Sequence, residues 1–167
     1  MNVSQAIAEY IRSIGIKHVF GVVGGGAMYL NDAFHDLFIP CHHEQAAAFA
    51  ADAYARLGGL GCCLVTTGPG GTNALTGLVA SWIDSIPVIY LSGQVTADTM
   101  NGATGTRQLG VQGMDIVQLV RPITKDAIIA TAETAMDDLR HLAAIARTPR
   151  SGPVWLDIPL DVQSAAN

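Results

Sequence analysis

A chain of 167 residues in which half the side chains are hydrophobic and only 14% are charged has enough apolar surface for a generous buried core, which excludes disorder. Its formal net charge of -5 comes with scattered Lys and Arg, so no basic stripe is on offer to nucleic acid, and low charge beside so much apolar content implies surface covered by other chains or domains. No apolar run reaches the roughly 18 residues of a membrane span, and Met1 to Gln5 contains no basic region leading into an apolar one, so a soluble cytoplasmic protein is expected.

Asn2 and Gln5 have the spacing of a capping box, and Ala6, Ile7, Tyr10, Ile11 and Ile14 recur at helical intervals up to Gly15, which predicts an amphipathic first helix. A β-rich stretch at 18–23 runs into Gly24-Gly25-Gly26, and a helical pattern resumes over 27–37. A short strand at 38–41 leads to a run of alanines that starts at Glu44 and stops at Gly58-Gly59, a helix of strong formers ended by glycine.

The alternation then repeats. A buried strand is expected at 61–67, a second glycine turn at 68–73, a helix at 74–82 and another apolar strand at 87–92. Over 93–113 the periodicity disappears into Gly, Thr, Asn and Gln, a loop length that in compact domains usually has a function. A short helix near Met114, a strand at 122–125, a helix over 131–147 that is acidic early at Glu133 and basic late at Arg140 and Arg147, and a final strand at 153–159 complete the pattern. Beyond it no capping structure is expected. Strands with continuous apolar runs, alternating with helices, point to an α/β fold: an open parallel sheet of about six strands with helices on both faces.

Cys41, Cys62 and Cys63 have no ligand-like spacing and are expected in the core, and His42-His43 lacks a second cluster of ligands, so no metal site is expected in this chain. Glu44 admits two readings. An acid in the first turn complements the helix dipole. The small residues that follow would also let the helix pack tightly against other backbone, leaving a carboxylate at the edge of a buried element, where it needs a partner or takes up a proton easily.

Glycine turns between strand and helix in a parallel sheet place a ligand at the carboxyl ends of the strands. A dinucleotide fails in detail: Tyr29 stands where the third small residue of G-x-G-x-x-G must be, and Glu44 opens a helix instead of closing a strand. No G-x-x-x-x-G-K-[ST] occurs, which excludes a nucleoside triphosphate loop of that kind.

Eight stretches, in order, resemble the N-terminal pyrimidine-binding domain of thiamine-diphosphate enzymes of the acetolactate synthase and pyruvate oxidase group. They are residues 19–25, His43-Glu44-Gln45-Ala46-Ala47, residues 51–56, Thr67-Gly68-Pro69-Gly70-Gly71-Thr72-Asn73, residues 84–87, Gly93-Gln94-Val95, residues 121–125 and residues 152–162, and they cover almost the whole chain. The resemblance implies a three-layer α/β/α domain spanning 1–167, with the central and diphosphate-binding domains of the family absent.

In that family the motif's glutamate, here Glu44, hydrogen-bonds a ring nitrogen of the cofactor aminopyrimidine and promotes the form that deprotonates the reactive thiazolium carbon for attack on a 2-keto acid. By the same resemblance Val23, Gly24, Gly25, Thr67, Gly70 and Asn73 border the cofactor, and Gln112 lies near the reacting centre. Read from the residues alone, the glycines make tight turns and Asn73 caps the helix that follows. The cofactor implied is thiamine diphosphate with Mg2+, the metal and diphosphate being held by a domain outside this chain; a flavin is left open. The partners implied are that diphosphate-binding domain, on the same or another chain, a second copy of the chain in a homodimer or larger assembly, and a 2-keto acid. Two departures, Val23 where relatives have proline and Gly113 where they have glutamate, border the substrate side and leave the keto acid open. The alternatives are a subunit of a split sulfopyruvate or phosphonopyruvate type decarboxylase and a non-catalytic assembly or nucleotide-binding domain.

Overall fold

The computed structural model describes residues 1–100 and 105–167. Its strands are Val19–Gly21 (β1), Phe38–Pro40 (β2), Gly61–Val65 (β3), Val88–Gln94 (β4), Ala127–Ile129 (β5) and Val154–Pro159 (β6). Its helices are Val3–Ser13 (α1), Met28–Ala33 (α2), Glu44–Gly58 (α3), Pro69–Asn73 (α4), Leu75–Asp84 (α5), Ile116–Val120 (α6), Ala135–Arg147 (α7) and Leu160–Ser164 (α8). The strands form one sheet in the order β2-β1-β3-β4-β6-β5, and every pairing is parallel.

Every residue of β3, β4 and β6 is buried, which is why these strands read as nearly continuous apolar runs. Successive side chains enter opposite layers. Cys62, Leu64, Ile89, Leu91 and Leu156 pack with the apolar faces of α1, α2 and α7, while Cys63, Val65, Val88, Tyr90 and Trp155 pack with α3, α5 and α6. In the second layer the Tyr90 and Trp155 rings lie parallel, 5.2 Å apart. Burial pushes both Cys62 and Cys63 thiols up, so neither is a nucleophile near neutral pH.

The first helix forms as its caps predict: Gln5 N–H donates to Asn2 Oδ1 at 2.8 Å and Asn2 N–H to Gln5 Oε1 at 2.9 Å. In α3 the alanines have the expected consequence on one face. A Cβ on Gly61 would overlap the Ala51 carbonyl, and one on Gly77 would stand 2.5 Å from the Ala48 Cβ, so helix, strand and neighbouring helix meet backbone to backbone. Asp52 on this face accepts from Ser81 at 2.8 Å and from Arg56 at 2.6 Å, and Arg56 reaches on to Asp84, fastening α3 to α5. The other face is open: Phe49 is 41% exposed and Leu57 94%, so α3 is half buried rather than enclosed on all sides.

Several boundaries differ from the sequence expectation for identifiable reasons. The strand expected at 122–125 is a tight helical turn over Arg121–Ile123, since Pro122 sits well early in a turn but cannot donate to a ladder; β5 begins at Ala127. Pro69 likewise starts a helical turn, so most of the second glycine turn is α4. The helix expected from 27 is confined to Met28–Ala33, and the one expected from 131 begins only at Ala135, after reciprocal hydroxyl bonds between Thr131 and Thr134; Glu133 precedes it, and the acids of its first turn are Asp137 and Asp138. The strand expected to end at 92 continues through Gly93 and Gln94, so these two belong to the sheet and not to the loop. The remainder of that loop contains a short turn at Ala97–Thr99, and its part at 101–104 lies outside the described residues. After β6, where no cap was expected, α8 and an isolated bridge from Ala166 to Asn2 close the sequence against α1. Cys41 is partly exposed, unlike the other two cysteines. Among the described residues no helix is long and apolar enough to cross a membrane.

Candidate functional site

The chain leaves β1 toward β2 on one side of the sheet and leaves β3 toward β4 on the other. A crevice must therefore open at the carboxyl ends of β1 and β3, where the connections diverge. Both glycine turns lie there. Gly26 N–H donates to Thr66 Oγ1 at 3.1 Å, the Gly24 carbonyl accepts from Asn31 at 3.2 Å, and the Gly26 carbonyl accepts from Gln163 at 2.7 Å. From the second turn, Thr67 Oγ1 donates to the Gly93 carbonyl at 3.1 Å.

The three consecutive glycines do different things. A Cβ on Gly24 would stand 2.5 Å from Thr66, and one on Gly26 would overlap the Thr67 hydroxyl, so both are required by packing. A Cβ on Gly25 meets nothing within 4 Å. Gly25 faces a cavity of about 480 Å³ whose lining also includes Gly26, Thr67, Gln94, Val95 and Gln112. Gln112 has a left-handed backbone, φ 63°, and is exposed. Val23 is 64% exposed and is not part of that lining.

Glu44 is the first residue of α3. His43 caps the helix by accepting Gln45 N–H at 3.1 Å, which leaves Glu44 in the first turn, where a negative charge is stabilised by the helix dipole. It is also 8% exposed, and its Oε2 accepts from Asn73 Nδ2 at 3.0 Å. The Asn73 side chain is thus directed to Glu44, and α5 has no side-chain cap. Gly70 lies beside the other carboxylate oxygen: a Cβ there would stand 3.6 Å from Glu44 Oε1 and 2.8 Å from Thr66 Cγ2. Glu44, Gly70 and Asn73 therefore form one cluster and Gly25, Thr67 and Gln112 share the cavity, with Thr66 touching both.

Thr66, Asn31, Gln94, Asp157 and Gln163 are not singled out as site residues by the sequence, yet Thr66, Asn31 and Gln163 bond to the first glycine turn, and Gln94, bonded to Asp157, holds the Met114 carbonyl. For Gln94 and Asp157 the available signal was a polar residue inside an apolar strand, which must find a partner when buried. Asp157 is the clearest example. On β6 it accepts from Ser92 and, at 2.9 Å, from Gln94, while Trp155 Nε1 donates to Ser92 Oγ at 2.7 Å. Burial pushes its carboxyl up to about 7; the bonds from Ser92 and Gln94 oppose that shift and the charge of Asp115 adds to it.

A folded-state value above the ordinary carboxylate value means that the fold prefers Asp157 neutral. Its contribution to stability is complete below about pH 4 and is lost as pH rises toward 7, a change on the order of 4 kcal/mol. Urea unfolding of the wild type and Asp157→Asn, compared from pH 4 to 8, is expected to show a difference that tilts in favour of the variant as pH rises. A pH-independent difference would mean that folding leaves the proton affinity of Asp157 unchanged.

A parallel, doubly wound α/β fold with its polar turns and one buried carboxylate gathered at the switch point belongs to the class of ligand-binding domains in which the backbone of glycine turns forms the site wall. Residues 1–119 match the family model described as thiamine pyrophosphate enzyme, N-terminal TPP binding domain, and the chain belongs to that family. It is 38% identical over 164 residues to the acetolactate synthase large subunit of Haemophilus influenzae, covering 95% of this chain and 28% of that protein. It is 39% identical over 168 residues to the probable acetolactate synthase large subunit of Methanocaldococcus jannaschii, covering 98% of this chain and 27% of that protein. With the large subunit of acetolactate synthase isozyme 2 of Escherichia coli it shares 38% identity over 174 residues, 99% of this chain and 30% of the relative. The chain thus spans less than a third of the length of these relatives.

Proposed function

We propose that this chain is the pyrimidine-binding half of a thiamine-diphosphate enzyme that acts on 2-keto acids in the manner of acetolactate synthase. The observation that carries the reading is Glu44: a nearly buried carboxylate at a helix mouth, held through one oxygen by Asn73, with glycine backbone beside the other. Such a group suits a planar, weakly basic ring nitrogen, with which it can share a proton out of contact with water.

The cofactor, when bound, supplies the carbon nucleophile and the electron sink for cleavage next to a keto group. The chain's own part is narrower. Glu44 holds a proton at the ring nitrogen and Asn73 fixes its carboxylate. Gly25 and Gly70 leave room for a flat ring, Gly24 and Thr67 set the turns around it, and Val23 and Gln112 stand toward the substrate. Magnesium and the diphosphate belong to a second domain. The exposed face of α3, with Phe49 and Leu57, offers surface to that domain or to a second copy of the chain. A cytoplasmic setting accords with the enzyme class, and a flavin would sit outside these residues.

Because this half site contacts the ring and not the diphosphate, calorimetric titration of the 167-residue chain with thiamine diphosphate and Mg2+ is expected to give a Kd of about 1 mM or weaker, tightening at least a hundredfold when a diphosphate-binding domain is supplied. Micromolar binding by the chain alone would contradict the division of the site.

A further inference from the structure

Gln94 is the last residue of β4 and is 1% exposed, yet its amide is fully engaged. Nε2 donates to Asp157 Oδ2 at 2.9 Å and to the Met114 carbonyl at 2.8 Å, and Oε1 accepts from Val95 N–H at 3.0 Å. The Met114 carbonyl lies two residues beyond Gln112, in the segment that closes the cavity. Val95, next to Gln94, packs its side chain against the same segment: a Cβ on Gly110 would stand 2.7 Å from Val95 Cβ, and one on Gly113 3.3 Å from Val95 Cγ2.

Gln112 needs such support. Its left-handed backbone costs on the order of 1 kcal/mol for a residue with a side chain, so the conformation persists only if its neighbours impose it. On one side is Gly68, itself at φ 61°, where a Cβ would overlap the Gln112 carbonyl and approach its Cβ to 3.1 Å. On the other is the bond from Gln94 to Met114. The segment is thus gripped between the turn after β3 and the end of β4, and the grip on the β4 side is anchored in Asp157, which itself collects hydrogen bonds from Ser92 and, through it, Trp155.

We propose that Gln94 is a positioning residue: anchored by Asp157, its side chain holds the Met114 carbonyl, sets the strained turn at Gln112 and so fixes how Gln112 is presented to the cavity. The assignment of Gln112 to the substrate side rests on the function proposed above, whereas the mechanical coupling does not. Gln94 contributes to the cavity wall, but it is 1% exposed and its amide is taken up by Asp157, Met114 and Val95, so it orders the segment rather than binding substrate, and Asp157 acts only through Gln94.

The two statements are tested separately. In the 167-residue chain, Gln94→Met keeps the length of the side chain and deletes the bonds. Amide hydrogen exchange is expected to speed up about tenfold or more at Gly110 and Gly113, whose N–H groups bond to Thr99 and Gly110 carbonyls, with less than a threefold change at Leu64 and Leu91 in the central strands. Unchanged exchange at Gly110 and Gly113, or an equal acceleration everywhere, overturns the positioning role. Should Gln94→Met fail to fold, Asp157→Leu decides by the same comparison, since it keeps the branched shape and removes the oxygen that accepts from Gln94.

In the complete enzyme, Gln94→Met and Gln112→Ala are expected each to raise KM for the keto acid several-fold, and the double variant to be no worse than Gln112→Ala alone, with the Kd for thiamine diphosphate unchanged. Additive effects overturn the coupling between Gln94 and Gln112. If instead Glu44→Gln leaves turnover intact, the functional reading fails, while the exchange result still decides whether Gln94 orders the segment.

Discussion

In the complete enzyme assembly, Glu44→Gln is expected to lower kcat by about a hundredfold to ten-thousandfold, the range that a positioned proton donor or acceptor supplies. The substitution is close to isosteric, and the new amide oxygen can still accept the bond that Asn73 now gives to Oε2 at 3.0 Å. What it loses is the ability to exchange a proton. It also turns an NH2 group toward the Gly70 side of the cluster, where a ring nitrogen needing a proton donor would still find a hydrogen bond but no transferable charge. Affinity for thiamine diphosphate should therefore change far less than turnover.

The fold should tolerate the change, because removing one charge from the first turn of α3 costs about 1 kcal/mol or less. Steady-state kinetics gives kcat, and the rate of deuterium exchange at the cofactor's reactive carbon shows whether the loss occurs before any keto acid is involved. A variant with wild-type turnover would return Glu44 to a helix-dipole role and remove the basis of the functional proposal. Asn73→Ala supplies a graded companion: the carboxylate remains but loses its anchor, so kcat should fall by less than in Glu44→Gln.

The parallel sheet could be read from the sequence because its signals are local and agree with one another. Asn2 and Gln5 cap α1 through their own side chains, Gly59 ends α3 in the left-handed conformation, and β3, β4 and β6 are mostly apolar because both their faces are covered. Strand order is different in kind. Within residues 122–129 the missing N–H of Pro122 moves the strand on to Ala127, but that this strand pairs with β6 is decided by tertiary contacts.

Glu44 could be found in the same way, as a lone acid where an alanine helix begins. The partners of the residues that hold the site together could not. Thr66, Gln94, Asp157 and Gln163 come from four separate elements or turns, and each is an ordinary polar residue until the fold brings it against a glycine backbone or another buried amide. Asn73 shows the same limit: its position before α5 looks like a cap, but Glu44, 29 residues earlier in sequence, is closer to hand once α3 and α4 have packed.

Gly93→Ala should be among the most damaging small substitutions at the described residues. At this position β4 passes the first glycine turn with no side chain between them: an added Cβ would overlap the Gly26 carbonyl group, and its next contact would be Ala27 Cα at 2.6 Å. Every atom in the way is backbone, so no rotamer change relieves the overlap. Relief would require β4 to part from β3 or β6, with which it pairs through Ser92 and Gln94, or the turn to lift off Thr66. The Gly93 carbonyl is also the acceptor for Thr67, so any shift breaks that bond as well.

Overpacking of this kind costs about 3 kcal/mol or more, equivalent to a fall in Tm of roughly 10 °C for a domain of this size. Gly25→Ala provides the control, because its Cβ enters open space and its backbone is not left-handed, so stability should change by less than about 0.5 kcal/mol. The pair separates two reasons for a glycine. If Gly25→Ala keeps the fold but weakens thiamine-diphosphate binding in the complete enzyme while Gly93→Ala loses the fold first, Gly25 is bare because a ligand approaches it and Gly93 because the protein itself does. Equal thermal stability of the two variants would mean that β4 and the first turn are less tightly apposed than their backbone contact implies.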